Sequence, residues 1–143
     1  MSAEANKAIV RKCWDEMLNK GNLTIAEKCV APGYIDRQPD QDIRGIEGIK
    51  QFVTGIRTAF PDIRFFVEAQ IAEGDKVVTR WMAKGTHHGE LTGIPPTGKP
   101  VKVTGIVISR LVSGKIVEEW DQMDGLGVLR QLGIVPPLGQ AGE

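Results

Sequence analysis

Apolar residues recur along this chain with two different periods, and the change falls near Pro61. Before it, Val10, Cys13, Trp14 and Met17 return at helical spacing, with Gly21 placed to end that helix. Thr24 followed by Glu27 has the pattern of a capping box. It opens a short second helix carrying Ile25, Cys29 and Val30, which Pro32-Gly33 closes. Tyr34-Ile35-Asp36 is at most a short strand, and a polar loop runs from Arg37 to Arg44. A third helix starts near Glu47, presents Ile49, Phe52, Val53, Ile56 and Phe60 on one face, and stops at Pro61.

Beyond Pro61 the period is two. Ile63, Phe65, Val67, Ala69 and Ile71 alternate with more polar or aromatic neighbours, which predicts a long strand. Turn signals at Glu73-Gly74-Asp75 and Ser113-Gly114 set off further strands over residues 76–86, 101–112 and 115–122. A last helix is expected over about 124–132, ended by Gly133 and Pro136-Pro137, with 134–143 a mobile tail. Helices first and hairpin-linked strands after predict one α+β domain spanning 1–143. Its N-terminal helices would pack on the concave face of a strongly curved, mainly antiparallel sheet. Such a sheet tends toward a cone, and the mouth of a cone suits a small molecule.

Composition removes several function classes. The formal net charge is zero, so nothing global steers the chain toward nucleic acid or an anionic membrane. No run of ~18 apolar residues predicts a membrane span, and the first residues lack the basic and apolar regions of a leader. The two cysteines, Cys13 and Cys29, are expected as buried reduced thiols, which points to the cytoplasm. Gly93-Ile-Pro-Pro-Thr-Gly-Lys fits a phosphate loop until Pro100 stands where Ser or Thr is required. Pro95 and Pro96 also remove two N–H donors that a phosphate cradle would use. His87 and His88, adjacent in an extended segment, point to opposite faces and would not chelate one ion. Neither metal nor cofactor is expected.

The candidate chemistry is carried by a few residues. Asp124 stands where the last strand hands over to the last helix. It reads either as a helix N-cap or as a carboxylate in a dry pocket, where its pKa would rise and suit acid/base work. On a regular last strand, Ile116, Glu118, Trp120 and Gln122 share one face, and Asp124 follows with the same parity. Glu118 is then either inside beside Trp120 or exposed by twist; if inside, it needs Arg80 or Arg110 as a partner. Trp14, Trp81 and Trp120 serve either as core or as walls for a flat apolar ligand. His87 reads as a pocket hydrogen-bond donor or as a loop histidine fixing local backbone.

Taken in order, Gly45-Ile-Glu-Gly-Ile-Lys, Phe60-Pro-Asp, Glu73-Gly-Asp-Lys-Val, Arg80-Trp, Gly85-Thr-His, Gly93-Ile-Pro-Pro-Thr-Gly, Gly114-Lys-Ile-Val-Glu and Gln131-Leu-Gly resemble the SnoaL-like polyketide cyclase family. That family lies within the nuclear-transport-factor-two-like superfamily. The resemblance implies a cone-shaped α+β fold, a deep hydrophobic pocket and ring closure by intramolecular aldol condensation without metal or cofactor. It implies Asp124 as the acid/base. The candidate site is then Asp124 and His87 as catalytic residues, with a substrate pocket of Trp14, Arg37, Phe52, Trp81, Glu118 and Trp120. Arg37 stands where many members carry histidine; it would clamp an anionic group or pair with a carboxylate. The implied partners are a small apolar or aromatic carbonyl compound and a second copy of the chain, as a homodimer or larger homo-oligomer. Two alternatives remain: a non-catalytic ligand-binding domain, and an epoxide hydrolase if Asp36, Arg37 and Asp124 converge.

Overall fold

A computed structural model describes residues 2–136; most of the expected mobile tail lies outside them. Helix α1 (Ala3–Trp14) starts where the Ser2 hydroxyl accepts the Ala5 N–H at 3.1 Å. It runs into a π-helical turn, Asp15–Asn19, and Gly21 then takes the left-handed φ of +68° that ends the segment. The expected capping box does not form. Thr24 turns its hydroxyl to Asn22 instead, and a 3-10 turn (Leu23–Ile25) precedes the single turn of α2 (Ala26–Cys29). Helix α3 spans Gly45–Ala59 and α4 spans Gly125–Gln131.

Six strands form one open sheet: β1 (Val30–Arg37), β2 (Asp42–Arg44), β3 (Arg64–Glu73), β4 (Lys76–Thr86), β5 (Pro100–Val112) and β6 (Lys115–Met123). Their order is β2-β1-β6-β5-β4-β3. All neighbours are antiparallel except β1 and β6, which run parallel. The short strand expected around Tyr34 is therefore an eight-residue strand that extends the sheet. The α+β class expected from the sequence is the class found.

Two bulges decide which side chains face the helices. On β3, Val67 pairs with Trp81 but Ala69 pairs with Arg80, so Glu68 is the extra residue. On β6, Ile116 pairs with Leu111 but Glu118 pairs with Arg110, so Val117 is the extra one. Each inserted residue moves everything after it to the opposite face. Ile71 is consequently 70% exposed rather than buried. On β6 the inward set after Ile116 becomes Glu119, Asp121 and Met123, leaving Glu118, Trp120 and Gln122 outside.

The core lies between the helical layer and the inner sheet face, where Val10, Trp14, Met17, Ile49 and Val53 meet Val77, Leu111 and Ile116. Cys13 and Cys29, expected as free thiols, form a disulfide with their Cα atoms 5.8 Å apart. Both lie on buried faces, and the packing of α1 against α2 brings them together. Sequence spacing carries no signal of that approach. The cytoplasmic expectation loses its footing in free thiols. Among the described residues, no helix is long and apolar enough to cross a membrane.

Candidate functional site

A cavity of about 130 Å³ opens between the layers. Trp14 from α1, Phe52 and Ile56 from α3, Phe65 from β3, Trp81 from β4 and Val107 from β5 form its wall. Val128 closes it from α4, and Met123, 42% exposed, stands at the rim. Leu91 covers another side from the loop between β4 and β5. That loop turns tightly at Thr92 and Gly93, both with positive φ, while Leu91 and Ile94 exchange backbone hydrogen bonds of 3.0 and 2.8 Å. The amides of His88 and Gly89 donate to the Ala59 carbonyl at 3.1 Å each and pin the loop to the end of α3.

Among the described residues, Asp121 is the one charged residue on this wall. The Val117 bulge turns it inward, and its register partner on β5 is Val107. Trp81 lies across Gly105, its partner on β5; a Cβ there would collide with the indole. The missing side chain leaves room for the ring, whose N–H reaches Asp121. Burial pushes the Asp121 carboxyl up to about 7; the charge of Asp36 adds to this, and the Trp81 indole N–H opposes it. Its Oδ1 is buried without a hydrogen-bond partner.

Behind Asp121 the inner face is polar. Glu119 is fully buried and accepts the Tyr34 hydroxyl at 2.6 Å and the Ser109 hydroxyl at 2.5 Å. Burial drives its carboxyl up to about 8; the charges of Asp36 and Asp121 push the same way, and the two hydroxyls push back. Asp36 is 1% exposed and sits opposite Glu119 in the parallel ladder. Burial raises it to about 6 against a 3.1 Å hydrogen bond from Gln38 Nε2. The Tyr34 phenol is pushed well above its ordinary value by burial and by Glu119.

The structure gathers some predicted residues and separates others. Trp14, Phe52 and Trp81 stand on the cavity wall. Asp124 does not: it is exposed, and its carboxylate accepts the Gly127 N–H at 2.9 Å as the N-cap of α4. The expectation that it faces the pocket fails because the bulge reverses parity and because the strand ends one residue before it. Glu118 and Trp120 fall on the outer face for the same reason. Arg37 is outside too, donating from Nε to Glu118 at 2.9 Å, with Arg110 on the other side of that carboxylate at 3.3 Å. An anionic clamp at the pocket mouth is thereby excluded for Arg37. Asp36 points in, Arg37 points out and Asp124 caps a helix, so the cluster an epoxide hydrolase needs does not form. His87 is fully buried but is not on the cavity wall. Its Nδ1 accepts the Thr97 N–H at 3.2 Å, and its backbone bonds Gly98 and Lys99, so it holds the loop together. Glu119 and Asp121 escaped sequence reasoning. The one available signal was Lys-Ile-Val-Glu-Glu-Trp-Asp, where two adjacent carboxylates break the alternation.

Residues 8–132 match the family described as SnoaL-like polyketide cyclase. The chain belongs to that family. It is 35% identical over 103 residues to the aklanonic acid methyl ester cyclase DnrD of Streptomyces peucetius, covering 71% of this chain and 70% of that protein. It is 30% identical over 118 residues to the nogalonic acid methyl ester cyclase of Streptomyces nogalater, covering 80% of this chain and 88% of the relative. TsrD from Streptomyces laurentii superposes with a TM-score of 0.85 at 29% identity, over 94% of this chain and 99% of its own. Family membership and these relatives place the chain among cyclase enzymes.

Proposed function

We propose that this chain is a cofactor-independent cyclase acting on an apolar, carbonyl-bearing ester of the polyketide class, with Asp121 as its acid and base. The observation that carries the reading is that, among the described residues, one charged side chain stands on an otherwise apolar cavity wall, its carboxyl raised to about 7. Near neutral pH both of its forms are populated, which suits a group that must take a proton and return it. The carboxylate removes a proton from the carbon α to a carbonyl. The enolate carbon attacks a second carbonyl of the same molecule and forms the carbon–carbon bond. The new alkoxide takes the proton back from Asp121, which restores the carboxylate. Delocalisation in a polyketide makes that carbon acidic enough for one tuned carboxylate. Trp14, on the same wall, keeps its indole N–H buried and without a partner, a donor available to a substrate carbonyl oxygen.

The volume bears on the substrate. A cavity of about 130 Å³ is close to the size that holds a benzene ring, about 150 Å³. The ring that reacts enters it, and the rest of a larger substrate lies toward Met123. We extend the proposal to a homo-oligomer joined through the outer sheet face, where Phe66, Ile71 and Ile106 are exposed.

The experiment is Asp121→Asn, assayed on aromatic polyketide methyl esters. Turnover should fall by roughly two orders of magnitude or more while the melting temperature holds or rises. Full turnover in this variant would take the acid/base role away from Asp121, and no turnover of these esters by the wild-type chain would leave the non-catalytic binding domain as the better reading.

A further inference from the structure

We infer that Asp36 is a positioning residue for Asp121: its charge, held on the same inner patch with no cation facing it among the described residues, governs when Asp121 gives up its proton. This rests on the reading of Asp121 as the acid/base. The placement comes from strand register. Asp36 pairs with Glu119 in the parallel ladder, and Asp121 follows Glu119 by two residues on the same face. Strand spacing of about 4.8 Å and a rise of about 3.3 Å per residue put the three Cα atoms within roughly 8 Å of one another, on one face.

The groups facing that patch are known element by element. From β1 come Tyr34 and Asp36, with Gln38 just beyond the strand, and Asp42 of β2 adds its charge to Asp36. The Trp81 indole comes from β4, the Ser109 hydroxyl from β5, and Glu119 and Asp121 from β6. The helical layer meets Tyr34 with apolar side chains such as Ile49 and Val53. None of these groups is a cation. Arg37, next in sequence to Asp36, is turned outward to Glu118. Three buried carboxyls without a counter-ion cannot all ionise, so the first charge to form sets the cost of the next.

Burial, more than hydrogen bonding, sets which charge forms first: the two hydroxyls favour the charged form of Glu119, but its complete burial outweighs them. Both oxygens of Glu119 are occupied by hydroxyl donors. Asp36 and Asp121 each keep a buried Oδ1 with no partner. Asp36 is the least raised of the three, and its charge acts on both of the others. It therefore ionises first and pushes Asp121 toward its protonated form. Its own carboxyl is not on the cavity wall, so its effect reaches substrate only through Asp121.

The test is a ¹³C-carboxyl NMR titration of Asp121 in the wild-type protein, in Asp36→Asn and in Glu119→Gln. In Asp36→Asn the midpoint of Asp121 should fall by about half a pH unit or more. The acid limb of kcat/KM should move to lower pH by the same amount, with the high-pH plateau kept within about threefold. Glu119 holds its proton over that range, so Glu119→Gln should leave the midpoint in place. An unmoved Asp121 midpoint in Asp36→Asn overturns the proposal, whatever happens to activity. If that variant does not fold, the wild-type titration decides instead: Asp121 must show an inflection at the midpoint of Asp36, and its absence overturns the proposal equally. The titration needs no substrate, so its failure is distinct from a failure of the cyclase reading, which Asp121→Asn tests.

Discussion

Asp121 and Asp124 stand three residues apart in unrelated surroundings. Asp121 is turned between apolar side chains, loses water and gains a neighbouring negative charge. Asp124 stays in water and gains an N–H donor from Gly127, whose missing Cβ leaves room for the carboxylate. The chemistry of each follows from its surroundings and not from its residue type. Replacing Asp124 by alanine should therefore cost about 1 kcal/mol of stability, the ordinary worth of an N-cap, and leave turnover within about threefold of wild type. Asp124→Asn should retain most of the cap. Thermal melts and a cyclase assay on both variants check this; a loss of turnover as large as that of Asp121→Asn would bring Asp124 back into the site.

At the scale of elements, the helical layer is held by a covalent tie as well as by packing. The disulfide joins Cys13 of α1 to Cys29 of α2 across 16 positions of sequence, and Trp14, which lines the cavity, is next to it. Closing a loop of this length restricts the unfolded chain by about 3 kcal/mol. Urea unfolding of the oxidised protein and of a Cys13→Ser, Cys29→Ser variant should differ by about that amount. Coincident curves would show that the tie contributes nothing to stability. The strands carry the other element-scale device. The bulges at Glu68 and Val117 each add one residue, and the site depends on the second of them. Without it Asp121 would face outward and Trp120 would take its place over the cavity.

At the scale of the molecule, the described residues leave the sheet with one face covered by helices and one face bare. On the bare side Phe66, Ile71 and Ile106 are exposed by 41%, 70% and 49%, ringed by ion pairs such as Arg80–Glu68 and Arg110–Glu118. An apolar centre inside a charged rim is the composition of an interface, and a self-complementary patch closes as a two-fold dimer. Light scattering at micromolar concentration should give at least twice the chain mass of 15.6 kDa. Ile106→Glu places a charge in the centre of the patch and should return the monomer mass with the fold intact by circular dichroism. A monomeric wild-type protein would rule out this use of the face.

Periodicity and punctuation were enough for the class of fold, for β4 to the residue, and for α3 and α4 within about two residues, because those elements follow from local spacing, turn residues and Pro61. Ordered motifs were enough for the family. The apolar pattern also named Trp14, Phe52 and Trp81, which stand on the wall. What the sequence could not decide was direction. A bulge is a single inserted residue with no fixed signature, and one insertion reverses every side chain beyond it. Asp121 for Asp124, the outward Trp120 and the exposed Ile71 are consequences of that one geometric fact. The pairing of Cys13 with Cys29, and of Asp36 with Glu119, belongs to the same class, since it depends on which elements become neighbours. Local spacing determines what each segment is; only the packed sheet determines which carboxylates lose their water, and that loss is what makes Asp121 a candidate for chemistry.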